Sequence, residues 1–519
     1  MKRLLAALTL VACSLAMAAS APPKKPRLIL MVVVDQFRYD YLLRFSGDYT
    51  AGLKRMWTEG AVFDDAHYVH VPTVTAVGHS TVLTGATPLV SGIIGNEWYE
   101  RQTASQVTSV SDPSTTLVGA AGAAGSSPHR LLVSTVGDEI KSVHADTRII
   151  GISIKDRSAI LPAGHMADGA YWFDNDSGHW VSSTFYMKEL PKWVEAVNDS
   201  KPAARSVGQV WRALNSKTSD APLCTMVKDT PNMRYCGSLE ASPWGNEMIE
   251  ELAEKALGAE NLGRHSSTDI LAVSFSSNDY VGHAVGPDAP EVRDISRRTD
   301  ILLGKLIAAA ERQAGLGNVI TVLTADHGVA SVPETARKNK MPGGRIDARA
   351  LTATIEKALA DRFGEGKWVL GNSDTSPYLN RELIAKYKTT EAQAENVAAA
   401  AVRALPHVYR VYTATQLASG QISPDSISTA VNNGYYRARA GNLVILFEPG
   451  YLTGNNGTTH GTPFGYDTHV PVLFLGSGIK PGHYYQKIAV NDIAPTLAAI
   501  VGVAQPTGSV GRVLQEMWQ

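Results

Sequence analysis

Five short stretches of the chain are apolar at nearly every position: 27–34 (RLILMVVV), 148–154 (RIIGISI), 270–275 (ILAVSF), 319–323 (VITVL) and 470–475 (VPVLFL). An apolar run without polar alternation is the pattern of a strand covered on both faces. The stretches between them have a different period. Residues 290–313 place Ile295, Leu302, Leu303, Leu306 and Ile307 on one side and polar residues on the other, and 347–363 and 390–405 are further helical candidates. Buried strands alternating with helices predict an α/β fold, a doubly wound, mostly parallel sheet with helices on both faces. Two regions break the rhythm. Residues 160–245 are rich in Trp, Tyr, Asp and Ser without a clear period, and 410–465 carry turn signals and short strand-like pieces. Both are expected to be cap-like insertions in a single catalytic domain over 21–519.

The first residues add an address. Lys2-Arg3 precede an apolar stretch, 4–17, and Ala16-Met17-Ala18 offers a small-x-small cleavage site. This predicts a signal peptide over 1–20, and with it a periplasmic or secreted protein. Leu10-Val11-Ala12-Cys13 also fits a lipoprotein site, which would leave Cys13 as a lipid-bearing terminus. No other run of about 18 apolar residues occurs, so no transmembrane segment is predicted. In an exported chain, Cys224 and Cys236 are expected to form one disulfide. The formal net charge of −1 gives no reason to expect nucleic acid or an anionic membrane as partner.

Chemistry concentrates where the buried runs end. The first runs into Asp35, the third into Ser276-Ser277-Asn278-Asp279 and then His283, and the fourth into Asp326-His327-Gly328. In an open α/β sheet, ligands bind beyond the carboxyl ends of the strands. A lone aspartate there reads as a turn or a helix cap, but three strands delivering Asp and His to one edge read as a site. Asp and His are ligands for zinc-like divalent ions. Five of them exceed the needs of one tetrahedral ion and suit two, an arrangement that stabilises both the entering and the leaving oxygen of an in-line displacement. A second ion calls for one more histidine. His469, directly before the last buried run, is the expected ligand; His460 is its rival, or a support behind it.

A nucleophile is expected in 71–85, where Val71-Pro72-Thr73-Val74-Thr75 leads into a small-residue stretch that reads as a loop opening a helix. A hydroxyl at a helix N-terminus sits in a positive backbone field, and a metal ion would activate it further. Thr73 or Thr75 would serve, and either is equally readable as a helix cap. The residues alone do not choose.

Taken together, these motifs resemble the alkaline phosphatase superfamily, in its phosphodiesterase/nucleotide pyrophosphatase-like branch, and most closely the bacterial exported alkaline phosphatases with a threonine nucleophile. The resemblance runs from VVVDQFRYDY near the start to YDTHVPVLFLG and NDIAPTLAAIVG near the end. It implies that Thr75 is the nucleophile and a ligand of one zinc ion with Asp35, Asp326 and His327, and that Asp279, His283 and His469 hold a second. It also implies that Asn96 (GIIGNEWY) and the pair Lys155 and Arg157 (GISIKDRSAI) bind the phosphoryl group. A monoester dianion has one more charged oxygen to satisfy than a diester, so two cations at that point favour small-molecule phosphate monoesters as substrates. A phosphodiesterase or nucleotide pyrophosphatase on the same scaffold is the alternative. A metal-dependent cell-surface binding protein without catalysis is the reading from another class. No Cys-x-Pro-x-Arg sequence suggests a sulfatase.

Overall fold

The computed structural model describes residues 23–122, 124–217, 219–225 and 238–518. The expected leader, Cys13 and Cys236 lie outside the described residues. Cys224 is disulfide-bonded.

The expected strands form the centre of an eleven-stranded sheet. They are β1 (Leu28–Val34), β2 (Ile149–Ser153), β3 (Asp269–Phe275), β4 (Val319–Thr324) and β5 (Val472–Gly476), in the spatial order β5-β4-β1-β3-β2. Every residue of β1 is at most 2% exposed, as an uninterrupted apolar run requires of a strand covered on both faces. β1 pairs in parallel with β3 and with β4, and β3 pairs in parallel with β2. Val34 lies opposite Phe275, and Val33 opposite Thr324. The residues that follow, Asp35, Ser276 and Ala325, therefore emerge at one edge within a residue of each other.

The flanks are antiparallel. β5 runs against β4 with Val472 beside Thr324, so it is the start of β5 that lies at the active edge. On the far side, Gly169–Asp174 continues the parallel order beside β2. His179–Ser183 then turns back on it, because the connection is too short for a parallel crossover. These two strands lie in the segment expected to be an insertion and instead extend the main sheet. Helices surround the sheet. Pro243–Ala259 packs on Pro290–Ala314, and α1 (Thr75–Thr84) packs on α2 (Asp156–Ala163).

A second core lies between β4 and β5 in sequence. Helices Ala348–Phe363 and Glu391–Arg403 pack with the antiparallel strand pair Val408–Thr413/Leu443–Phe447 around Ile355, Leu359, Val402 and Ile445. It begins well before residue 410, because those two helices cover their own small hairpins rather than the main sheet.

Candidate active site

Each chemical residue reaches the sheet edge by a local device. Asp35 follows β1 directly. Asp279 and His283 share one face of α3 (Ser277–Val285), being four residues apart on a helix that starts where β3 stops. Asp326 and His327 follow β4. Thr75 is the first residue of α1, behind an extended Val74. α1 presses tightly on β4: a Cβ at Gly78 would meet the Asp326 carbonyl oxygen at 2.2 Å. Lys155 stands at the mouth of α2, after β2.

Two groups of ligand-type side chains result. In one, Asp35, Asp326 and His327 are fully buried, and His327 Nε2 lies 3.2 Å from Asp326 Oδ2. Among the described residues neither of those two atoms has a hydrogen-bond partner, an expensive arrangement for buried polar atoms unless a cation joins them. In the other, His283 Nε2 lies 3.2 Å from Asp279 Oδ1 and 3.3 Å from His460 Nε2. All three histidines are oriented alike. Their Nδ1 atoms donate to backbone carbonyls, His283 to Thr458 at 2.8 Å, His460 to Thr73 at 2.8 Å and His327 to Gly328 at 2.9 Å. This leaves each Nε2 lone pair for a metal, the usual way a protein presents an imidazole ligand. The donor set thus fits two zinc-like ions.

The electrostatics agree. Burial opposes ionisation of Asp35 and Asp279, yet neighbouring cations outweigh it, Lys155 and His79 at Asp35 and His283 and Lys155 at Asp279, and hold both carboxyls well below the usual range. Burial likewise opposes a proton on His327, but the Asp326 carboxylate pushes its value up to about 9. A field that draws protons onto histidines draws metal cations to the same place. His460 is pushed well below its ordinary value by burial and by His327 and His283, so it stays a neutral ligand-type imidazole.

The structure does not bring His469 to this site. Its Nε2 donates to the Asp64 carbonyl at 2.9 Å, and its ring is stacked between Tyr39 and His67. His469 starts beside the correct strand, but the short helix Gly465–Thr468 turns the chain, and the ring faces away. His460, on the loop before that helix, folds back over Thr73 and stacks on His327 at 3.4 Å between ring centroids. The Gly461 that follows it, with φ 111, marks that bend.

The remaining expected residues converge. The Asn96 Oδ1 atom accepts the Ala76 N–H at 2.8 Å, next to Thr75. Lys155 Nζ lies 2.9 Å from Asp35 and 2.6 Å from Asp279, between the two groups, and burial, which opposes its charge, is outweighed by these carboxylates. Arg157 is the second residue of α2, its side chain 26% exposed. The two threonines differ. The Thr73 hydroxyl donates to the Thr462 carbonyl at 3.0 Å, while no such bond ties Thr75 among the described residues.

Three further residues brace the site. His79 spans from the Thr75 carbonyl (2.9 Å) to the Ser274 hydroxyl (2.8 Å), so both its nitrogens are engaged, and Ser274 in turn donates to Asp35 at 2.5 Å. Gln36, at φ 59, donates its backbone N–H to Asp326 and its side-chain amide to Asp279, tying the two groups together. Apolar periodicity carries no signal for Gln36; its only mark in the sequence is its place after a strand-end aspartate.

Residues 29–469 match the model of the type I phosphodiesterase / nucleotide pyrophosphatase family. The chain belongs to that family, and it is an enzyme of the alkaline phosphatase superfamily. Among individual proteins, it is similar to alkaline phosphatase PafA of Elizabethkingia meningoseptica, whose crystal structure superposes with a TM-score of 0.88 at 33% identity, covering 95% of this chain and 99% of that one. Alkaline phosphatase PhoV of Synechococcus elongatus is 36% identical over 95% of this chain and 93% of its own length. A protein of Myroides odoratus named calcium-transporting ATPase is 35% identical over 97% and 96%. No helix among the described residues is long and apolar enough to cross a membrane.

Proposed function

We propose that this protein is an exported alkaline phosphatase that hydrolyses small phosphate monoesters through a phosphothreonine at Thr75. The observation that carries the reading is the pair of ligand groups on either side of Lys155, with Thr75 at a helix N-terminus beside them. Two zinc ions would be held, one by Asp35, Asp326, His327 and Thr75 and one by Asp279, His283 and His460, and when bound they supply the charge that acidifies the attacking hydroxyl and water and offsets charge on the entering and leaving oxygens.

The residues of the chain supply the rest. The Thr75 hydroxyl gives up its proton to solvent and its oxygen attacks phosphorus; the bond from phosphorus to the alcohol oxygen breaks, and the alcohol leaves with a proton from solvent. Water then attacks the phosphothreonine, inorganic phosphate departs and the hydroxyl is restored. The field of the helix N-terminus favours the developing charge on Thr75. Lys155 and Arg157 offer donors to the non-bridging oxygens, and Asn96 adds its amide. In a variant of PafA a threonine, an asparagine, a lysine and an arginine are replaced together, and the last two stand two residues apart, as Lys155 and Arg157 do.

The test is Thr75→Ala. Turnover of a nitrophenyl monoester is expected to fall by at least about a thousandfold, in line with nucleophile deletions elsewhere, with metal content near that of the wild type. Full activity would remove Thr75 from the mechanism. The family's name favours a second reading, hydrolysis of diesters. A preference for a diester that survives Lys155→Ala would establish it.

A further inference from the structure

A cavity of about 220 Å³ opens beside the candidate active site, between the loop that carries His460 and an apolar cluster that includes Val71, Val431, Tyr435 and Leu446. Its walls include Pro72, Val431, Tyr435, Leu446, Pro463 and His460. A cavity of about 150 Å³ takes benzene, so this one has room for a substituted ring. Among the described residues no lysine or arginine lines it. Among the described residues its one carboxylate is Asp374, an exposed residue at the tip of the hairpin Val369–Ser373/Ser376–Leu379. Among the described residues no hydrogen bond or ion pair engages that carboxylate. Asp374 Oδ2 comes within 3.7 Å of where a Cβ would sit on Gly95, the neighbour of Asn96. The cavity thus reaches the proposed phosphoryl site through His460.

In an in-line displacement, the leaving group departs opposite the nucleophile. With Thr75 on the side of Asp35 and Asp326, that direction runs past His283 and His460, and His460 is the wall shared with the cavity. We infer that this cavity takes the organic group of the ester, and that the preferred substrates are monoesters of aromatic alcohols that also bear a hydrogen-bond donor or a positive charge for Asp374. The inference rests on the phosphatase reading and narrows its substrate class. A polyphosphate leaving group would meet no cation there and one carboxylate, which selects against nucleoside triphosphates.

The experiment uses full-length metal-loaded enzyme and three monoesters: methyl phosphate, phenyl phosphate and the phenolic phosphate of tyramine. Each variant is compared with wild type on the same ester, which cancels the intrinsic reactivity of the alcohol. Asp374→Asn keeps the shape and tolerates the φ of 47 at this position. It is expected to lower kcat/KM for tyramine phosphate about tenfold more than for methyl phosphate, and phenyl phosphate should follow methyl phosphate. Ala348→Trp, at the cavity rim, adds a ring without removing a hydrogen bond. It is expected to lower kcat/KM for both aryl esters about tenfold more than for methyl phosphate. If neither variant discriminates among the esters while the wild type hydrolyses methyl phosphate, the cavity assignment is wrong and the phosphatase reading stands. If the wild type hydrolyses none of the three, the phosphatase reading itself fails.

Discussion

At the scale of single residues, the two histidines that compete for the second metal group separate cleanly. His460 presents a free Nε2 to His283 and Asp279, whereas the Nε2 of His469 is committed to a backbone carbonyl near the surface. His460→Ala is therefore expected to lower kcat by at least about a hundredfold and to reduce zinc per chain, because ligand loss exceeds the usual effect of removing a ligand's support. His469→Ala should stay within about fivefold of wild type with unchanged zinc, as measured by assay and metal analysis. Equal losses in the two variants would reverse the assignment. The strand-end carboxylates were legible because the register of a parallel sheet fixes them, whereas His460 depends on a loop folding back through tertiary contacts. A second residue-scale consequence lies in His70, buried with neither ring nitrogen hydrogen-bonded and held to about 3 by burial. The unfolded chain takes up that proton below about pH 6.5, and the folded chain does not until about 3. Stability therefore falls as pH drops between those values, with a slope approaching about 1.4 kcal/mol per pH unit from this group. His70→Phe removes the slope. Between pH 6.5 and 4.5 the wild type should lose about 2–3 kcal/mol more than the variant in denaturant titrations. Parallel losses would mean that His70 becomes charged in the folded protein.

At the scale of elements, the site is a contact between α1 and the end of β4. Gly78 makes that contact, and any side chain there meets the Asp326 backbone. Gly78→Ala should cost about 1–3 kcal/mol by overpacking. It should also lower kcat by more than tenfold, because it moves Thr75 relative to Asp326 and His327, and small displacements of reacting groups are expensive. Melting and turnover measured on the same sample check both; a variant with wild-type turnover would mean that α1 shifts without carrying Thr75. The sheet elements were readable in advance. The runs at 27–34, 148–154, 270–275 and 319–323 became the parallel centre, since buried strands leave a continuous apolar signature. The direction of β5 was not readable, because an apolar run reads the same in either sense. The helices at 348–363 and 391–403 kept their period, but periodicity does not say which sheet a helix covers, and these two cover their own.

At the scale of the whole molecule, two bodies of structure with different work meet at one edge. The main sheet and α1 bring Asp35, Asp279, Asp326 and Thr75 together from distant parts of the chain, and a separate apolar cluster with Val71, Val431, Tyr435 and Leu446 lines the cavity beside them. The first part was legible in outline, because strand ends announce their chemistry. The second was not, because a cavity between a loop and a small domain is made by packing alone. The central claim, that the ester is broken through Thr75, is tested most directly by acid-quenching the enzyme during turnover at low pH and mapping phosphate on its peptides by mass spectrometry. Phosphate on Thr75, absent when phosphate ester is omitted and absent in Thr75→Ala, is the predicted result. Phosphate on Thr73, or rapid turnover with no phosphorylated residue at any quench time, would contradict it.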